Sequence, residues 1–188
     1  YANPCKQPSH LSFARSKGVS LTVADSEAEL RKMAAYHPEG ELLLRLAVDD
    51  SQAQCVMSCK YGAPHAEMAH LLQTATSLGL KVRGVSFHVG SGCYAADAFA
   101  DAVERAAAVF ALAEERGVTM DVLDIGGGFP GRDTETLSFA DIAEALRPAL
   151  ARHFPSSRGV QLIAEPGRFF VAQSHTLAVN VIGKKRAP

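Results

Sequence analysis

Short apolar runs alternate along this chain with longer segments in which apolar residues recur every three or four positions. The short runs predict buried strands, and the longer segments predict amphipathic helices. The predicted strands are residues 21–23, 41–48, 82–89, 120–125, 160–164 and 177–182. The predicted helices are residues 9–17, 26–37, 67–78, 95–116 and 138–154. Only the last predicted strand follows its predecessor without a helix between them.

Local signals support several of the helix assignments. Ser26 and Glu29 have the spacing of a capping box, and Ser138 is placed to cap the last helix. Pro148 lies inside that helix and predicts a kink. The helix at residues 95–116 is expected to bury one apolar face, which comprises Phe99, Val103, Ala106 and Phe110.

The order of these elements predicts the fold class. Strands that alternate with helices indicate parallel βαβ units. The strand at residues 41–48 is apolar on both faces, through Leu42, Leu43 and Leu44. Such strands belong to a sheet that is covered on both sides or closed into a barrel. The pattern alone therefore leaves two α/β folds open, a doubly wound sheet and a (β/α)8 barrel.

Composition narrows the function classes. The 188 residues are 47% hydrophobic and 21% charged, as in a globular protein of one domain or a large part of one. The net charge of -1 and the lack of a basic stripe argue against a nucleic-acid partner. No apolar run is long enough to span a membrane. The four cysteines lack metal-site spacing, so we expect no metal and reduced thiols in a cytoplasmic protein.

Three predicted strands end in unusual polar turns. These turns are residues 88–92, 126–128 and 165–168. In parallel α/β folds the carboxyl ends of the strands build the active site, and barrels often bind phosphate at their last two βα loops. The sequence therefore predicts that these three turns form one site.

The glycine triplet and the last turn are suited to an anion. Backbone N–H groups of Gly126, Gly127 and Gly128, with the guanidinium of Arg168 and the hydroxyl of Ser91, would bind a phosphate. Each feature also has a purely structural interpretation. The triplet could be a flexible turn, and Ser91 could cap the next helix.

Two further side chains extend the prediction from a phosphate to a phosphorylated aromatic ring. Pyridoxal phosphate requires an anion site, a partner for its ring face and a charge partner for its ring nitrogen. His88 suits the ring face, and the carboxylate of Glu165 would keep the ring nitrogen protonated. Alternatively, His88 could be a core histidine, and Glu165 could form an ion pair with Arg168.

At these residues the chain resembles the eukaryotic ornithine decarboxylases, which belong to the barrel-type, alanine-racemase-like pyridoxal-phosphate decarboxylases. The resemblance covers essentially the whole chain and is most specific around the histidine and glycine turns. The matching stretches are residues 1–6, 44–50, 86–93, 124–131 and 164–168.

The resemblance implies roles for individual residues. His88 would stack on the cofactor ring, and it is the candidate catalytic residue. Glu165 would contact the pyridine nitrogen, and Arg45 would lie near the pocket. The implied phosphate and turn residues are Ser91, Gly126, Gly127, Gly128, Pro166, Gly167 and Arg168.

The resemblance also implies a domain organisation. Residues 1–174 would supply about six of the eight strands of a (β/α)8 barrel, and residues 175–188 would begin a C-terminal β domain. The Schiff-base lysine would precede Tyr1, so Lys6 is not expected to serve. Asp25 and Lys185 would pair across a homodimer. Because further catalytic residues would follow Pro188, we expect the chain to be part of a longer protein and inactive alone.

The implied activity is the decarboxylation of ornithine to putrescine in polyamine biosynthesis. Two alternatives stay open. The antizyme inhibitors are similar proteins that lack catalysis and bind antizyme, for which residues 10–31 lie in the corresponding segment. In those homologues the cofactor turns drift, whereas here they are intact. Related decarboxylases that act on arginine or diaminopimelate form the other alternative.

Overall fold

The computed structural model describes residues 1–184, in which strands and helices alternate. Five strands form one parallel sheet in the order β1-β2-β4-β6-β7, and β3 pairs antiparallel with β5. The strands are β1 (Leu21–Ala24), β2 (Glu41–Arg45), β3 (Ala53–Cys55), β4 (Lys81–Ser86), β5 (Ser91–Cys93), β6 (Val122–Asp124) and β7 (Gln161–Ile163). The parallel strands lie in chain order, whereas a doubly wound sheet reverses its order at a switch point. The sheet is therefore part of a (β/α)8 barrel.

All the predicted helices are present. The helices are α1 (Pro8–Ser16), α2 (Glu27–Tyr36), α3 (Met68–Ser77), α4 (Ala96–Glu114), α5 (Phe139–His153) and the short α6 (Gly167–Val171), which was not predicted. Helix α5 continues through Pro148, and Ser138 forms a complete capping box with Asp141. No helix among residues 1–184 has the length and apolarity needed to cross a bilayer.

Two apolar layers flank the sheet. Leu42 and Leu44 pack into the large core between strands and helices, where α4 buries the face predicted from its sequence. Leu43 points the other way and packs with Val23 and Val122 in a smaller cluster on the opposite face of the sheet. Successive strand residues face opposite sides, so a barrel strand must be apolar at adjacent positions.

Tyr1 extends the sheet beyond β1. Its amino group donates a hydrogen bond to the carbonyl of Leu21 (2.7 Å), and its carbonyl accepts one from the N–H of Val23 (3.2 Å). This alternation is the pattern of a parallel ladder. Tyr1 therefore makes the hydrogen bonds to β1 that a residue of a further parallel strand would make.

Lys6 is a structural residue of this region. It is 2% exposed, and its ammonium donates to the carbonyls of Asn3, Pro4 and Val23. The carboxylate of Glu29 lies 3.6 Å from the ammonium. Burial lowers the pKa of Lys6, and Glu29 partly opposes that shift.

Glu29 accounts for one wrong prediction. Helix α2 begins after Ser26 as expected, but the side chain of Ser26 makes no capping hydrogen bond. Glu29 instead turns inward, where it accepts from the N–H of Lys6 (3.3 Å) and pairs with Lys32. The capping box is absent because the buried ammonium competes successfully for the glutamate.

The predicted strand at residues 177–182 is also wrong. These residues form no strand, and Leu177 and Ile182 are 85% and 99% exposed. An alternating apolar sequence becomes a strand only when another strand satisfies its backbone groups, and no strand among residues 1–184 pairs with this segment. The domain boundary after residue 174 stays a prediction, and Lys185 lies outside the described residues.

Candidate functional site

Backbone hydrogen bonds join the three polar turns at one edge of the sheet. The N–H of Phe87 donates to the carbonyl of Asp124 (3.1 Å), which links the histidine turn to β6. The N–H of Glu165 donates to the carbonyl of Gly126 (2.7 Å), which links the glycine triplet to the last turn. The turns that follow β4, β6 and β7 therefore form one continuous surface, as the sequence predicted.

The glycine triplet lets these turns approach one another. A Cβ atom added to Gly127 would lie 2.8 Å from Nε2 of His88 and 2.7 Å from the carbonyl oxygen of Glu165. Gly126 and Gly128 adopt φ values of 63° and 106°, which L-residues rarely adopt. The triplet is buried and tightly enclosed, so it is not merely a flexible turn.

The three glycine N–H groups are not equivalent. The N–H of Gly126 donates to Oδ1 of Asp124 at 2.8 Å. Among residues 1–184, no acceptor lies in hydrogen-bonding position for the N–H groups of Gly127 and Gly128. The last two glycines therefore retain donors for an anion, whereas the first is engaged by a carboxyl group.

His88 is a neutral histidine at this edge. Burial lowers its pKa to about 4, and the positive charge of Arg45 acts in the same direction, with Asp50 opposing both. The N–H of Gly90 donates to Nδ1 of His88 at 3.1 Å. An acceptor at Nδ1 assigns the hydrogen of the neutral ring to Nε2. His88 thus presents an uncharged ring of fixed tautomer beside Gly127.

Arg168 forms hydrogen bonds with the histidine turn and does not form an ion pair with Glu165. Its guanidinium donates to Oγ of Ser91 at 3.0 and 3.2 Å and to Oε1 of Gln54 at 2.7 Å. Ser91 is not a helix cap, because α4 begins after Ala95. Both partners of Arg168 are neutral, and no carboxylate pairs with it among residues 1–184. Its charge is therefore available to an anion.

Gln54 is a site residue that sequence reasoning missed. It lies on β3, whose antiparallel pairing with β5 places it close to Gly92 and Arg168. The pairing joins two loops that are far apart in sequence, and Gln54 belongs to no recognisable motif. Periodicity or motif spacing therefore gave no signal for it.

The carboxyl end of β6 supplies a second missed residue, Asp124. It is 3% exposed, and burial together with the neighbouring Glu165 carboxylate raises its pKa to about 7. Asp124 begins the glycine motif at residues 124–131, but the motif alone indicates no role for it. Its burial is decided by the sheet and could not be inferred from the motif.

Arg45 completes the charge arrangement. It ends β2, and its guanidinium lies 5.1 Å from the ring centroid of Tyr61. Burial lowers the pKa of Arg45, and the negative charges of Asp25 and Glu165 oppose that shift. The edge therefore combines a half-buried cation with two carboxyl groups.

The residues present fit pyridoxal phosphate. Two unpartnered glycine N–H groups, the hydroxyl of Ser91 and the guanidinium of Arg168 suit a phosphate. A neutral imidazole and the carboxylate of Glu165 suit an aromatic ring with a basic nitrogen. Among residues 1–184 there is no group of three or more metal-ligating side chains.

Comparison with known proteins identifies the family of this chain. The family model for the pyridoxal-binding domain of pyridoxal-dependent decarboxylases matches residues 1–172. The chain is 51% identical over 185 residues to ornithine decarboxylase of Mus musculus, covering 98% of this chain and 40% of that relative. It is 48% identical over 185 residues to antizyme inhibitor 2 of Xenopus laevis, covering 98% of this chain and 41% of that relative.

The fold also matches solved structures. The arginine decarboxylase of Paramecium bursaria Chlorella virus, solved with agmatine bound, superposes with a TM-score of 0.85 at 36% identity. That match covers 90% of this chain and 45% of the viral enzyme. The chain thus spans about 40% of the length of the curated relatives it matches. With its residues 1–172 matching their cofactor domain, the chain belongs to the pyridoxal-dependent decarboxylases, whose cofactor is pyridoxal phosphate.

Proposed function

We propose that this chain is the cofactor-binding domain of an ornithine decarboxylase, which releases carbon dioxide from ornithine and yields putrescine. One observation supports this proposal above all. His88, the glycine triplet and Glu165 lie on three joined turns at one sheet edge, in a chain 51% identical to mouse ornithine decarboxylase.

The phosphate of the cofactor would be held by Arg168, Ser91 and the N–H groups of Gly127 and Gly128. Arg168 is already oriented by two neutral acceptors, so binding an anion costs no existing ion pair. Hydrogen bonds from charged donors are about twice as strong as neutral ones. These groups would therefore anchor the cofactor at one end. The turn formed by Pro166 and Gly167 connects that anchor to Glu165.

The ring end would be bound by His88 and Glu165. When bound, pyridoxal phosphate supplies a protonated ring that withdraws electrons from the substrate α-carbon as carbon dioxide leaves. The carboxylate of Glu165 holds a proton on the ring nitrogen, because a nearby negative charge favours the protonated form. Since His88 is neutral, it covers a ring face without opposing that positive charge.

The test measures carbon dioxide release by the full-length protein with pyridoxal phosphate and carboxyl-labelled ornithine, arginine or diaminopimelate. We expect ornithine to be preferred, and Glu165→Gln to lower turnover about a hundredfold, as when one charge-stabilising group is removed. Glu144→Gln, at an exposed position of α5, is the control and should leave turnover unchanged. A preference for another of these amino acids would contradict the assignment of ornithine.

A second candidate function is the binding of antizyme without catalysis. The 48% identity to Xenopus antizyme inhibitor 2 favours it, and α1 with part of α2 covers the segment at residues 10–31. The intact cofactor site argues for the enzyme instead. A full-length protein that captures antizyme and releases no carbon dioxide from any of the three amino acids would establish this alternative.

We further propose a cytoplasmic homodimer. The four cysteines are unpaired in the structure, as expected in a reducing compartment. The dimer rests on the family resemblance alone. In this structure the carboxylate of Asp25, the expected contact across the dimer, accepts from the N–H of Gly62 at 2.8 Å. Light scattering of the full-length protein tests the dimer, and a monomer at micromolar concentration would contradict it.

A further inference from the structure

The buried carboxyl group of Asp124 has no role in the function proposed above. It lies at the end of β6, one residue before the loop that holds the glycine triplet, and is 3% exposed. Burying a carboxyl group is costly unless hydrogen bonds compensate for the lost water. The contacts of Asp124 therefore indicate what the residue contributes.

Asp124 is linked to Glu165 along the backbone. Its Oδ1 accepts from the N–H of Gly126 at 2.8 Å, and the carbonyl of Gly126 accepts from the N–H of Glu165 at 2.7 Å. Asp124 thus fixes the backbone of Gly126, and the carbonyl of Gly126 in turn holds the start of the last turn. The link reaches the residue that would contact the ring nitrogen.

The two side chains are also in direct contact. The carboxyl group of Glu165 neighbours that of Asp124, and both its charge and its hydrogen-bonding contact raise the pKa of Asp124. An ionised carboxylate can only accept, so a hydrogen bond between these two groups requires that one of them be protonated. Asp124 is buried whereas Glu165 is exposed, and burial disfavours the charged form. The proton therefore belongs to Asp124, whose pKa is raised to about 7.

We propose that Asp124 is a positioning residue, a protonated acid that donates a hydrogen bond to Glu165 and holds it, ionised, toward the ring nitrogen of the cofactor. This role rests on the proposed function, because it requires Glu165 to serve the pyridine ring. Asp124 acts through Glu165 and Gly126 and does not itself contact the cofactor. The Oδ1 atom of Asp124 accepts from the N–H of Gly126 and thereby orients the first glycine of the triplet.

Two substitutions in the full-length protein separate this role from simple packing. Asp124→Asn keeps an acceptor for Gly126 and a donor for Glu165, whereas Asp124→Ala removes both. We expect Asp124→Ala to weaken the binding of pyridoxal phosphate at least about tenfold, the effect of losing a hydrogen bond to a charged group. Asp124→Asn should stay within about threefold of the unmodified protein. The absorption spectrum of the bound cofactor should shift in the alanine variant alone.

A measurement without cofactor tests the proton directly. In the infrared spectrum of the cofactor-free protein near pH 6, we expect the carbonyl band of a protonated carboxylic acid. That band should vanish in Asp124→Asn and persist in the control Glu144→Gln. Its absence from the unmodified protein would overturn the proposal, whether or not ornithine is decarboxylated.

The binding measurements have their own contrary outcomes. If Asp124→Asn loses as much affinity for pyridoxal phosphate as Asp124→Ala, the negative charge of Asp124 is what matters, and its assignment as a proton donor is wrong. If Asp124→Ala fails to fold, the asparagine variant and the infrared band still decide the question. Failure of ornithine turnover with an intact band would instead reject the substrate and leave the carboxyl pair in place.

Discussion

Two neutral groups of the site should affect folding stability in opposite directions as the pH changes. The pKa of Asp124 rises from 3.8 to about 7 in the fold, and the pKa of His88 falls from 6.5 to about 4. The folded protein binds the Asp124 proton more tightly than the unfolded chain does. The stabilising effect of that proton is complete below pH 4 and is lost as the pH rises to 7.

The opposite holds for His88. Its neutral form is favoured by the fold, so its contribution is complete above pH 6.5 and is lost as the pH falls toward 4. One pKa unit corresponds to 1.36 kcal/mol, which gives ceilings of about 4 kcal/mol for Asp124 and about 3 kcal/mol for His88. Because the two effects overlap between pH 4 and 6.5, they largely cancel in the unmodified protein.

Single substitutions should reveal how each of the two groups changes the free energy of unfolding with pH. We would measure urea unfolding of the cofactor-free full-length protein between pH 4 and 8, comparing Asp124→Asn and His88→Gln with the unmodified protein. Relative to that protein, Asp124→Asn should gain up to about 4 kcal/mol between pH 4 and 8. His88→Gln should lose up to about 3 kcal/mol over the same range. A constant difference between Asp124→Asn and the unmodified protein would show that Asp124 is ionised in the fold at all these values.

Two further substitutions test the geometry of the site. Gly127→Ala adds a Cβ atom within 3 Å of two neighbouring atoms and should lower the affinity for pyridoxal phosphate by about 1–3 kcal/mol. The control Gly183→Ala adds its Cβ atom in open space and should leave the affinity unchanged. Equal effects of the two substitutions would contradict the close packing at Gly127. Gln54→Leu removes the 2.7 Å hydrogen bond to Arg168 and should weaken cofactor binding about fivefold, measured by fluorescence. The exposed Gln52→Leu serves as its control, and unchanged binding in Gln54→Leu would show that Ser91 alone orients the guanidinium.

The sequence predicted the elements of this fold well, because hydrophobic periodicity records which side of each element is buried. Leu42 and Leu44 face the helices and Leu43 faces the opposite side, so adjacent apolar residues already indicated a sheet covered on both faces. The same periodicity failed at residues 177–182. That segment has the alternation of a strand, but a strand also requires a partner that the sequence pattern does not specify.

The candidate site could be predicted to the extent that its residues lie at strand ends. His88, Glu165 and the glycine triplet each follow a strand, and parallel strands bring such turns to one edge. The sequence could not choose between a barrel and an open sheet from periodicity, since both require the same buried strands. Strand order, which depends on contacts between distant segments, made that choice.

Partners within the site were decided by the tertiary structure alone. The motif contains Asp124 and Gly126, but only the packed sheet buries that carboxyl group, directs it to a glycine N–H and places it beside Glu165. Likewise, Arg168 was placed in the site by its position, whereas its contact with Gln54 follows from two loops pairing across the edge. The sequence determines at which strand end a side chain is placed. The surrounding fold determines its solvent exposure and its charged neighbours, and therefore its protonation.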